Sequence, residues 1–93
     1  MTGKAAVLGA AAAREALARL GGFDEIVVLE PSVLELERLV AELADPRLDY
    51  MLGALPVLPL PDASVDLLVG ADPGEAEVVR VLRAGGRAEP AAA

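Results

Sequence analysis

The stretch from Lys4 to Ser32 constrains the fold more than any other. It reads as a short apolar strand (KAAVL), a single glycine (Gly9), an alanine-rich helix (AAAAREALARL), a Gly21-Gly22 stop and a second apolar strand (EIVVLE) closed by Pro31. Neither strand alternates polar with apolar residues. Runs that are apolar on both faces belong inside parallel sheets, and parallel neighbours need a crossover such as this helix. The stretch is therefore a βαβ unit.

The remainder continues the alternation. Ser32, three residues ahead of Glu35, forms a capping-box pattern in which the hydroxyl takes a backbone N–H and the Glu reaches back. The helix it opens is expected to run to about Ala44, with Val33, Leu36, Val40 and Leu43 facing inward and Asp45-Pro46 closing it. Leu48 to Leu52, interrupted by Asp49, suits an edge strand with one wet side. Gly53 to Ser64 carries Pro56, Pro59 and Pro61 and is expected to be irregular. Val65 to Val69 is a fourth strand. Asp72-Pro73-Gly74-Glu75 predicts a third helix with Asp72 as its cap, running to about Arg83 with Val78, Val79 and Leu82 inward. Gly85-Gly86 should end it and leave RAEPAAA as a loose tail, from about residue 88. Strand alternating with helix places the chain in the α/β class, as a single domain over residues 1–93.

Composition removes several function classes. The net charge of −7 and the lack of any basic cluster argue against nucleic acid. With no cysteine and no histidine there is no disulfide, no thiolate or imidazole metal ligand and no Ser-His pair. Ser32 and Ser64 lack an activating base and read as cap and turn residues. Asp62, Asp66 and Asp72 read as a turn former, a solvated residue at a strand start and a cap. Their spacing supports no metal site. Tyr50 and Phe23 read as packing aromatics. The absence of Asn, Gln and Trp as well as Cys suits a thermophile or a GC-rich genome. The alanine-rich start is continuous with Arg14-Glu15 on one helix, which argues against a signal peptide, and no run reaches the ~18 apolar residues of a membrane span. The chain is expected to be cytoplasmic and not membrane-bound.

Three landmarks together resemble the class I S-adenosylmethionine-dependent methyltransferases. The βαβ unit ends in Glu30-Pro31-Ser32, similar to the family's acid at the second strand. GALPVLPLPDASVDLLVG, Gly53 to Gly70, resembles the family's LPFPDGSFDLV segment. VVRVLRAGGR, Val78 to Arg87, resembles its RVLRPGGR turn. The resemblance runs from about Lys4 to Arg87. It implies a small Rossmann-like sheet of four mainly parallel strands in order 3-2-1-4 with three helices, two on one face and one on the other. The match covers the N-terminal half of the family's domain, and no fifth strand is expected. That would leave the fourth strand as an open edge and the one-helix face half covered, and a homodimer or higher oligomer that buries one or both is expected.

The resemblance also places the candidate site. Glu30 would take ribose hydroxyls; the alternative is a solvated carboxylate beside a helix N-terminus. Gly9 would allow close ligand approach, or simply make a tight turn. Backbone near Leu55 and Gly70 would line the adenine and methionine ends, or serve only as loop and turn. No catalytic and no metal-ligating residue is identified. Against cofactor binding stand Val7, where the family has an acid, Ala11 and Ala13 in place of the second and third motif glycines, Ala54 in place of the adenine-contacting acid, and Ala84 before Gly85-Gly86. Alanine at a left-handed position would be strained and its Cβ would fill ligand space. The expected function is a minimal methyltransferase-like domain without catalytic activity, acting as a binding or oligomeric module, with no cofactor. The alternative is an S-adenosylmethionine-dependent methyltransferase, or a cofactor-binding subunit of one, whose pocket a partner chain completes. A small-molecule ligand fits either reading.

Overall fold

The computed structural model describes residues 3–53 and 57–89. In chain order these form β1 (Lys4–Leu8), α1 (Ala10–Ala16) with a 3₁₀ turn at Leu17–Arg19, β2 (Glu25–Glu30), α2 (Val33–Glu42), β3 (Leu48–Leu52), β4 (Val65–Gly70), α3 (Glu75–Val81) and β5 (Leu82–Glu89). All strand pairs are parallel and the sheet order is β3-β2-β1-β4-β5. The α/β class and the 3-2-1-4 order follow the sequence reading. The sheet has five strands, not four.

β1 runs through the centre, and Ala5 to Leu8 are buried on both faces. Ala5 and Val7 join Ile26, Val28, Leu67 and Val69 in a core covered by α1 and by Leu39 of α2. Ala6 and Leu8 join Val27, Leu29 and Leu68 in a second core, covered by Val81 of α3 and by Leu58 and Leu60 of the β3–β4 connection. Two helices on one face and one on the other is the expected arrangement. A helix as short as α1 is unstable alone. It holds because Ala10, Ala12, Ala13 and Ala16 are all buried and their small side chains let the backbone lie close to the sheet.

Several local expectations change. Leu39, fully buried, carries the inner face of α2 with Leu43 beside it, whereas Val33 and Val40 are about half exposed at 53% and 51%. The docking angle onto β2 and β3 selects one of two overlapping apolar stripes. Leu36 and Leu43 belong to both. The third helix starts at Glu75 with Gly74 as its N-cap, and Asp72 instead accepts the Gly74 N–H at 2.8 Å. It ends at Val81, so Leu82 is in a strand, while Val79 is 70% exposed. Gly85 and Gly86 lie inside β5, where a register shift opposite Val65–Leu67 absorbs extra residues. Ala88 and Glu89 pair with Leu68 and Val69 and are not loose. β5 also covers the edge of β4, one of the two surfaces on which a homodimer was expected. Ala54, Leu55, Pro56 and residues 90–93 lie outside the described residues.

Asp66 is not merely solvated: it accepts the Lys4 N–H at 2.9 Å and pairs with Arg83 at 3.0 Å. Tyr50 packs against the first core and donates its hydroxyl to the Leu43 carbonyl, and burial raises its pKa. Among the described residues no helix is long and apolar enough to cross a membrane.

Candidate functional site

Because all five strands are parallel, their carboxyl ends share one edge of the sheet. The chain moves outward from β1 through β2 to β3, then returns to the other side of β1 for β4 and β5. That reversal opens a crevice between β1 and β4, the position where open α/β sheets take ligands. Gly9, Glu30 and Gly70 stand at the ends of β1, β2 and β4, so the fold brings these three predicted residues to one edge. Leu55 lies outside the described residues, two positions after Gly53, whose N–H donates to the Glu30 carbonyl at 3.2 Å.

The two glycines differ. Gly9 has φ 106° and ψ 143°, a conformation essentially closed to L-residues. A Cβ built on it would meet no atom within 4 Å, so its backbone faces open space. Gly70 has φ 114°, and a Cβ there would lie 2.5 Å from the Leu8 carbonyl oxygen and 3.1 Å from the Ala12 Cβ. Close packing of β4 and α1 against β1 therefore requires glycine at 70.

Ala11 and Ala13 do not conflict with the fold. Both lie within α1, where backbone is helical, and neither has positive φ. The Ala13 methyl is buried in the first core, away from the crevice. The strain expected for these alanines is absent because only Gly9, outside the helix, needs the special conformation.

Glu30 is 8% exposed, the one charged side chain in the buried set among the described residues. It is not a solvated carboxylate. Oε1 accepts the buried Ala10 N–H at 2.8 Å and Oε2 accepts the Ser32 N–H at 2.8 Å. One carboxylate thus closes the first turn of α1, which has no side-chain cap of its own, and also fixes the entry into α2. The capping box is correspondingly half formed. Ser32 Oγ accepts the Glu35 N–H at 3.3 Å. The reciprocal bond comes from Glu30, while Glu35 turns to Arg38 at 2.9 Å. A carboxylate has about four acceptor positions, so each oxygen keeps capacity for one more donor.

Sequence reasoning missed a second cluster, on the sheet face that α3 covers. Arg80 of α3 uses all five of its N–H groups. It donates to both oxygens of Glu77, to Asp62, and to the carbonyls of Leu58 and Leu60, at 2.7–2.9 Å. Glu77 also accepts the Leu58 N–H at 2.8 Å. The Arg80 guanidinium and that N–H hold the Glu77 carboxyl down to about 2. The pair pins the β3–β4 connection over the second core. Its only sequence signal is the Glu-x-x-Arg spacing on one helix face.

A cavity of about 410 Å³ lies between the ends of β4 and β5 and the start of α3. Among the described residues no three acidic side chains gather closely enough to hold a metal ion.

No protein-family model matches the chain, and no curated protein matches it. Solved structures do. A candidate S-adenosyl-L-methionine-dependent methyltransferase from Methanococcus maripaludis superposes with a TM-score of 0.78 at 24% identity, over 97% of this chain and 48% of that one. A chain from the Haloferax volcanii complex between the Trm112 methyltransferase activator and its methyltransferase candidate gives 0.77 at 25% identity, over 95% and 44%. Geranyl diphosphate methyltransferase, solved with GPP and sinefungin, gives 0.69 at 20% identity, over 95% and 37%. This chain has the class I methyltransferase fold. It spans less than half the length of these methyltransferase structures. Within that fold the open turn at Gly9, the acid at Glu30 and the close contact at Gly70 occupy the strand ends that the resemblance singled out.

Proposed function

We propose that this chain is the cofactor-binding subunit of an S-adenosylmethionine-dependent methyltransferase, with the rest of its pocket completed by a partner chain. The observation that carries this is the turn at Gly9. The one position of the β1–α1 turn that needs glycine has it, its backbone faces open space, and the alanines that replace the other motif glycines are helical and turned into the core or solvent. The residues present therefore fit an adenosyl ligand. Gly9 would let backbone approach it, Glu30 would offer its remaining acceptor positions to ribose hydroxyls, and backbone at Leu55 and Gly70 would flank the adenine and methionine ends. The cofactor would supply an activated methyl group. The chain's own part is to bind and orient, which carries much of the rate enhancement when two reactants must meet.

A second reading, a binding module without transferase activity, has support from Glu30. Both of its oxygens already serve backbone N–H groups, so its burial is explained without any ligand.

Calorimetric titration with S-adenosylmethionine, followed by amide NMR, separates the two. The first reading expects binding, with shifts confined to Gly9, Ala10, Glu30 and Gly70, and about tenfold weaker binding in Glu30→Gln, which keeps the side chain's shape. No heat at millimolar ligand would end it and leave the second.

A further inference from the structure

We propose that β3 and the side of α2 beside it form a homodimer interface, in which two copies of this chain join their sheets edge to edge. Among the described residues β3 pairs only with β2, so its outer edge is open. The Ile26 N–H donates to the Arg47 carbonyl at 3.0 Å, and the Gly53 N–H to the Glu30 carbonyl at 3.2 Å. Backbone bonding alternates along a strand. Arg47, Asp49, Met51 and Gly53 therefore face β2, and Leu48, Tyr50 and Leu52 turn their backbone groups outward. Of these, the Leu48 N–H is taken by the Asp45 carbonyl at 3.1 Å.

This pattern of donors and acceptors fits its own copy. A two-fold axis through Tyr50, normal to the sheet, sets the two β3 strands antiparallel. Tyr50 then exchanges N–H and C=O bonds with Tyr50 of the second copy, and each Leu52 N–H meets a Leu48 carbonyl across the axis. The side chains agree with this register. Leu48, Tyr50 and Leu52 alternate onto the α2 face, so apolar residues meet apolar residues there. On the other face Asp49 stands opposite Met51 and not opposite its own copy.

The helix layer closes over the same axis. Glu35 and Glu42 of α2 reach Arg14 of α1 at 3.7 and 2.8 Å, which turns that side of the helix toward α1. Val33, Leu36 and Val40 line the opposite side, beside the open edge, with Val33 and Val40 half exposed. Because α2 packs on both β2 and β3, strands about 4.8 Å apart would bring the two α2 axes to about 10 Å, the packing distance of paired helices. One symmetry operation thus answers both the open backbone and the uncovered apolar stripe, and this commits the surface to a second copy. The edge is only about 17 Å long and each chain carries a charge of −7. The dimer is therefore weak, with a dissociation constant on the order of 100 µM. It lies on the far side of β2 from the crevice between β1 and β4, so it does not depend on an adenosyl ligand there.

Sedimentation and amide hydrogen exchange of the full 93-residue chain, between about 10 µM and 2 mM, test this. The Asp49 and Met51 amides should be protected throughout, whereas exchange at Tyr50 and Leu52 should slow severalfold as the dimer forms. Val40→Glu and Leu52→Glu alter exposed side chains and set like charges across the axis. Each should weaken association by about tenfold or more with the circular dichroism unchanged. Val79→Glu adds the same charge on exposed α3, away from the interface, and should leave association unaltered. A monomer at about 2 mM would overturn the proposal. So would Tyr50 and Leu52 exchange that does not change with concentration, a dimer indifferent to both Val40→Glu and Leu52→Glu, or one weakened equally by Val79→Glu. Failure of S-adenosylmethionine to bind would leave it intact.

Discussion

The two sides of the β1–β4 junction solve the same structural problem differently. On the β1–α1–β2 side the strand ends are braced by backbone hydrogen bonds. A short alanine-rich helix lies flat on the sheet, and its open first turn is closed by one buried carboxylate, Glu30, from the neighbouring strand. On the β4–α3–β5 side the bracing is ionic and acts on the β3–β4 connection. Arg80 and Glu77 pin a proline-rich connection, and the ligand edge is left as a cavity. The difference teaches that one fold can brace one half with a buried carboxylate shared between backbone groups and the other with a surface ion pair that holds a connection. Backbone groups that share a buried acceptor cannot shift independently, whereas a guanidinium holding loop carbonyls from outside can let go of them one at a time.

The sharpest way to break this contrast is at the junction itself. Gly70→Ala combines a left-handed alanine with a Cβ 2.5 Å from the Leu8 oxygen. It should cost about 3 kcal/mol in chemical denaturation. A loss under about 1 kcal/mol would mean the two halves do not pack as closely as described. Glu30→Ala comes next. It strands the Ala10 and Ser32 N–H groups and should cost about 2 kcal/mol, with deprotection in hydrogen exchange confined to the start of α1 and α2. Glu30→Gln, which keeps one acceptor, should lose less. Equal losses in the two variants would show that shape and not hydrogen bonding matters there. Arg80→Met should lower global stability only slightly, less than either preceding variant, since its side chain is 31% exposed. It should nevertheless release the Leu58 and Ser64 amides to exchange while Ala10 stays protected. Uniform loss of protection would erase the distinction between the halves.

The smallest effect is on pH dependence. Folding lowers the Glu77 carboxyl to about 2, below its ordinary range. Its contribution is therefore complete above about pH 4.5 and fades as pH falls toward 2. Asp45, held at about 2 by Arg47, titrates in the same window on the other side of the sheet. Glu77→Gln and Asp45→Asn should each flatten the acid limb of stability between about pH 5 and 2. An unchanged slope in either variant would show that the corresponding pair is not formed in solution.

How much of this was legible depended on how local the cause was. β3 was read at its observed bounds, Leu48 to Leu52, because its pattern of apolar residues around Asp49 is written in five consecutive positions. β5 was missed because RAGGRAE has no apolar pattern. It is a strand because the exposed backbone of β4 offers hydrogen bonds, and a side-chain pattern does not record that offer. The inner face of α2 was misphased for a similar reason. Two apolar stripes overlap on that helix, and only docking chose the one through Leu39. At the site, Gly9 and Glu30 were picked out from their spacing. Which N–H groups Glu30 binds was not, since Ala10 lies 20 residues away in sequence.

The amino-acid order alone determined the class and the residues that would stand at the strand ends, while the order of the first four strands came from the family resemblance. Apolar runs and glycine or proline breaks act within a few residues and survive without a tertiary context. Only the folded structure decided that Glu30 is buried against α1, that Ala11 and Ala13 are harmless, that Arg80 grips the β3–β4 connection and that a cavity opens beside β5. Each of those depends on distances between segments remote in sequence, and such distances exist only once the sheet has assembled.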